Sequence, residues 1–107
     1  MKNRISTLIA DRGTSIIHID SAKHGYTEVL IDTADIELVQ QYRWHVDNQG
    51  YVVNSFRLED GRNSIRNLHR TLMDPPAGSV VDHINSVRSD NRRRNLRICT
   101  LSENQHN

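Results

Sequence analysis

Cysteine is nearly missing from this chain. Cys99 stands alone among 107 residues, which excludes an internal disulfide and a cysteine-built zinc site, so no structural zinc is expected. A reducing, cytoplasmic setting fits that usage. Aromatic residues make up 5% and hydrophobic residues 36%, so the core must be lean, within what a chain of this size can bury without staples. The 5% also argues against a surface that stacks single-stranded bases. No apolar run approaches the roughly 18 residues of a membrane-crossing helix, and no membrane partner is expected. The opening residues, Met1 to Ala10, hold too short an apolar stretch for a secretory signal.

Lysine is absent from the second half. Residues 1–61 hold 6 Lys or Arg against 9 Asp or Glu, net −3, while residues 62–107 hold 8 Arg against 4 Asp or Glu, net +4. The overall charge of +1 hides this split. Arginine's planar fork suits two-point contact with phosphate, so a basic half on a nearly neutral chain points to a polyanion meeting one face. The competing reading is a solvated arginine-rich surface.

The pattern along the chain is that of an α+β fold. Residues 15–20 and 26–31 read as strands joined through His24-Gly25. Asp32 or Thr33 is expected to cap a helix over Ala34 to Gln41, with Ile36, Val39 and Tyr42 on its buried face. Trp44 to Asp47 and Tyr51 to Phe56 flank Asn48-Gln49-Gly50, a hairpin signal. Trp44, Tyr42 and Tyr51 are expected in the core. Asp60-Gly61 marks another turn, Ile65 to Leu68 a returning strand, and His69 to Met73 a short helix broken by Asp74-Pro75-Pro76-Ala77-Gly78. Residues 79–84 form a strand. Asn85 to Asn95 is too polar to bury itself and is expected as an ordered surface loop. Leu96 to Cys99 alternates as a second strand. Thr100 and Glu103 fit the two ends of a capping box, which starts a helix at Leu101 carrying Asn104. That helix has at most seven residues before Asn107, so it is expected to dock on the strands or to continue beyond. Residues 1–107 are expected as a single domain, with a β-rich scaffold over 1–78 and the chemical motif over 79–107.

Phosphodiester hydrolysis needs a base for the attacking water and positive charge for the phosphoryl and leaving oxygens. A neutral histidine suits the first, and a divalent ion held by oxygen ligands suits the second. Asp82 and His83 sit side by side at a strand end, and Asn104 follows 22 residues later on a new helix. If that helix crosses the strands, Asp82 and Asn104 can meet on one ion beside His83. Neighbours on a regular strand face opposite ways, so the strand must end or twist at this pair.

Val80-Val81-Asp82-His83-Ile84-Asn85, Asp90-Asn91-Arg92, Asn95-Leu96-Arg97 and Ser102-Glu103-Asn104 together resemble the HNH endonuclease family, in its bacteriophage and intron-homing branch with the ββα-metal fold. Asn67 to Met73 and Tyr42-Arg43-Trp44-His45 followed by Gly50-Tyr51-Val52 resemble that branch more loosely. The likeness spans roughly residues 27–107. It implies a DNA endonuclease using one Mg²⁺ or Mn²⁺, with Asp82 and Asn104 as metal ligands. His83 would be the general base, and Asn95 the residue that pins the loop and orients it. The implied products are a 5′-phosphate and a 3′-hydroxyl, and the implied setting is a phage gene acting inside a bacterial host. Arg92, Arg93 and Arg94, with Arg88 and Arg97, then become the expected DNA contacts. His69 stands between two roles, a buried neighbour of the site or a phosphate contact. The alternative is a non-catalytic DNA-binding module derived from such a nuclease. A protein-interaction domain would leave the arginine loop unexplained.

Overall fold

The computed structural model describes residues 2–102. Strands β1 (Arg4–Thr7), β2 (Thr14–Ser21) and β3 (Gly25–Asp32) form an antiparallel meander in that order. The expected hairpin is present, with pairing from Thr14↔Asp32 to Ser21↔Gly25. Gly25 turns the chain at φ 74, a conformation that a side chain resists. Ile17, Ile19, Val29 and Ile31 alternate along β2 and β3 onto the buried face. Strand β1 has no counterpart among the expectations. Ile5 is its one large apolar residue, and the register Arg4↔His18 to Thr7↔Ser15 is what extends it.

After β3 come a one-turn 3-10 helix, Thr33–Asp35, and the short helix α1 (Ile36–Val39). The helix is shorter than the span Ala34 to Gln41, and neither proposed cap acts as one. The Asp32 carboxylate accepts the Arg93 backbone N–H at 2.9 Å, and the Thr33 hydroxyl donates to the Arg12 carbonyl at 2.7 Å. Long-range partners took both side chains. Val39 is buried, with Ile36 and Tyr42 packed beside the core as expected.

A second antiparallel sheet follows, β4 (His45–Val46), β5 (Val52–Arg57) and β6 (Asn63–Asn67). Asp47 organises its first turn by accepting the Gln49 and Tyr51 N–H groups, each at 2.9 Å. Helix α2 (Leu68–Met73) begins directly after β6, so Leu68 opens the helix instead of closing the strand. Asp74, at φ 45, ends it ahead of the two prolines. The last pair, β7 (Ser79–His83) and β8 (Leu96–Thr100), is antiparallel from Ser79↔Thr100 to His83↔Leu96. Thr100 is the last residue of β8, and Leu101 and Ser102 are helical. Glu103 of the capping pair and the ligand candidate Asn104 lie outside the described residues.

One apolar cluster draws on all three sheets and α2, including Ile17, Ile31, Trp44, Val52, Leu68, Val81 and Leu96. Trp44 is buried as expected, its indole N–H donating to the Val39 carbonyl at 2.9 Å. Asn3 grips the Trp44 backbone from 41 residues away, accepting its N–H at 2.6 Å and donating to its carbonyl at 3.0 Å. The segment between β7 and β8 is largely exposed, in keeping with the surface loop expected there, but three of its polar residues turn inward. Asp90, Asn91 and Asn95 are buried. The segment lies along the outer edge of β3, where Leu30 donates to the Ser89 carbonyl and accepts the Asn91 N–H, both at 2.8 Å. A polar segment can bury when every hydrogen-bonding group finds a partner. Among the described residues no fully buried side-chain nitrogen or oxygen lacks one.

Candidate active site

Strand β7 stops at His83. The Ser86 N–H returns to the His83 carbonyl at 3.0 Å, with Ser86 in the left-handed region at φ 64, and the Ile84 N–H bonds the Asn95 carbonyl at 2.8 Å. Asp82 and His83 are the last two residues of the strand. Both line one cavity of about 490 Å³ together with Tyr51, Val81, Ile84, Ser86, Arg88 and Arg97.

Asp82 lies directly opposite Arg97 in the ladder. The guanidinium meets the carboxylate with both prongs, Nε to Oδ1 at 3.1 Å and Nη2 to Oδ2 at 2.8 Å, and the Cys99 Sγ is 3.9 Å from Oδ2. His83 turns the other way, with its Nε2 2.9 Å from Oδ1 of Asn91. Its ring packs on His69, with centroids 5.0 Å apart, and near Tyr51 at 6.4 Å. Tyr51 is therefore a half-buried wall of the cavity and not a core residue. His69 is only 6% exposed. Burial, then the charges of His83 and Arg70, lowers its pKa to about 4, so it is neutral near pH 7.

Asn95 is a hub of the segment between β7 and β8. Its amide nitrogen donates to the Asn85 side-chain oxygen at 2.8 Å and to the Asp90 carbonyl at 2.9 Å, while its oxygen accepts the Asn85 N–H at 3.1 Å. Asp90 is held below the ordinary carboxylate range chiefly by Arg92, whose Nη2 lies 2.7 Å from Oδ2. Arg93 forks onto the buried Asp35, with Nη2 at 2.8 Å and Nε at 3.0 Å from its oxygens. These two arginines were expected to present open forks to phosphate, and both forks are filled from within the protein. Arg94 is exposed and makes no hydrogen bond or ion pair among the described residues. Arg88 lies 4.3 Å over the Tyr51 ring and donates to the Gln49 carbonyl, so it covers the β4–β5 turn at the cavity wall.

Comparison with known families bears on this constellation. Residues 74–106 match the HNH endonuclease family. No curated protein and no solved structure matches the chain. The HNH match takes in β7, the segment that follows it and β8, and supports a nuclease-like, DNA-binding function for them, with DNA as substrate or partner.

Within the HNH segment, sequence reasoning missed Asn91 and Asn85, and outside it Asp35. Each is a polar residue whose importance is a hydrogen bond made within the fold. The available signal was that a stretch so polar, once enclosed, must satisfy itself. For a cation, Asp82 is the one carboxylate among the described residues that lines the cavity, and among those residues no three His, Cys, Asp or Glu side chains cluster as a metal site. One hard oxygen ligand would suit an ion such as Mg²⁺, which keeps most of its waters and takes further oxygens from a phosphate, if Arg97 yielded its hold on Asp82.

Proposed function

We propose that this chain is a divalent-metal-dependent DNA endonuclease, of the phage and homing type with a ββα-metal site, acting in the cytoplasm of a bacterial host. The carrying observation is that Asp82 and His83, adjacent in sequence at the end of β7, both line one cavity. In this reading His83 takes a proton from a water as its oxygen bonds to phosphorus. The bond from phosphorus to the 3′ oxygen breaks, and that oxygen leaves as a hydroxyl after protonation from solvent, opposite a 5′-phosphate. Asp82, with Asn104, would hold one Mg²⁺ or Mn²⁺, which supplies positive charge to the phosphoryl and leaving oxygens. Asn95 keeps the segment behind His83 in shape. His69, neutral and buried, serves as a packing neighbour of His83 and not as a phosphate contact. Arg94 is the arginine that would meet DNA without giving up a partner among the described residues, whereas Arg88, Arg92, Arg93 and Arg97 would each have to release a contact within the protein.

The test is plasmid nicking. Cleavage is expected with Mg²⁺ or Mn²⁺, to stop with EDTA, and to vanish in His83→Ala while DNA binding persists. Cleavage by His83→Ala at the parent rate would remove the assigned base. One observation favours a second reading, a DNA-binding module without catalysis: both oxygens of Asp82 are engaged by Arg97. A parent protein that binds DNA yet cuts with no divalent ion would decide for that module.

A further inference from the structure

A histidine base can use either ring nitrogen, and the choice here is made by a residue to which no role was assigned. We propose that Asn91 is a positioning residue that fixes His83 in the tautomer protonated on Nε2 and turns Nδ1 to the cavity as the proton acceptor. The role in cleavage rests on the nuclease reading above, whereas the tautomer does not.

The Asn91 amide nitrogen donates to the Arg88 carbonyl at 3.1 Å. A carbonyl oxygen only accepts, so rotating the amide by half a turn would set two oxygens against each other with no hydrogen between them. The Asn91 oxygen must therefore be the atom 2.9 Å from Nε2 of His83, and it too only accepts. Nε2 carries the hydrogen. A neutral imidazole has one N–H, so the lone pair is on Nδ1. Nδ1 has no hydrogen-bond partner among the described residues, where no fully buried side-chain nitrogen or oxygen goes without one. It therefore reaches open space, and the cavity that His83 lines is that space.

Asn91 is itself rigidly placed. It is 0% exposed, and its N–H donates to the Leu30 carbonyl of β3 at 2.8 Å. The imidazole is thus registered against the N-terminal meander through Leu30 and Asn91, with the His69 ring 5.0 Å away to limit its rotation. An acceptor on one ring nitrogen that frees the other for proton transfer is the arrangement by which a carboxylate orients the base in hydrolytic triads. Here a neutral amide takes that place.

Two measurements test this on the full chain. Long-range ¹H–¹⁵N correlation of the histidine rings, with His83 identified by its loss in His83→Gln, should show the Nε2–H form at a pH where the ring is neutral. An Nδ1–H form overturns the proposal. In kinetics, Asn91→Leu removes the acceptor, and Asn91→Asp keeps an oxygen acceptor while losing the bond to Arg88. Asn91→Leu is expected to lower kcat by about 100-fold or more, with KM for DNA changed less than about threefold, and Asn91→Asp to recover at least about tenfold of the loss. Equal impairment of both variants overturns the positioning role. Should Asn91→Leu not fold, the parent spectrum and the Asn91→Asp tautomer decide. A parent that shows Nε2–H yet never cuts DNA refutes the nuclease reading and leaves the tautomer standing.

Discussion

At the scale of single residues, the most consequential group outside catalysis is His69. Its pKa is about 4 in the folded protein against an ordinary 6.5, so between those values the unfolded chain binds the extra proton. Stability is then fully present above pH 6.5 and falls as the pH drops toward 4, by about 3 kcal/mol at most. The melting temperature of His69→Phe should decline less steeply over that window than that of the parent, and parallel curves would contradict the assignment. Asp82 and Arg97 give a second expectation. A guanidinium on both oxygens of Asp82 competes with a metal for the same carboxylate and repels it, so Arg97→Ala should bind Mn²⁺ severalfold more tightly without DNA while holding DNA less well. Calorimetric titration reads this, and an unchanged Mn²⁺ affinity refutes it. Asp82 and His83 were legible in the sequence because they adjoin each other and end a β run. Asn91 was not, because its role comes from a histidine eight residues away and from burial that local composition argued against.

At the scale of elements, the arginine turn that leads into β8 divides into anchors and contacts. Arg93 neutralises Asp35, which is buried beneath it. Arg93→Ala strands a carboxylate with its side chain 9% exposed and should lower unfolding free energy by about 1–3 kcal/mol in urea titrations. Arg94→Ala should leave stability within about 0.5 kcal/mol, weaken binding to all DNA sequences alike, and reduce the salt slope by about 1. The reverse pattern would exchange their roles. The hairpins could be read from sequence because Gly25 and Asn48-Gln49-Gly50 punctuate alternating strands. The α1 helix was overestimated because Asp32 and Thr33, good caps in isolation, found distant partners. The 85–95 segment was legible as a surface loop, but the burial of Asp90, Asn91 and Asn95 within it was not, because their partners are groups of the loop itself, His83 and the edge of β3.

At the scale of the whole molecule, charges separated along the chain meet in the fold. The acidic first half supplies Asp32 and Asp35 to Arg93 of the basic second half. The charge of Arg93 is thereby neutralised internally, and the field presented to DNA is weaker than the sequence split suggests. The bridge between Leu30 and the segment after β7 has one more consequence. It occupies the outermost rim of the first sheet, where bare amides and carbonyls would otherwise invite a strand from another molecule. A variant that lets this rim go should lose its imidazole alignment and become self-adhesive together, so falling activity and rising light scattering would share a single origin.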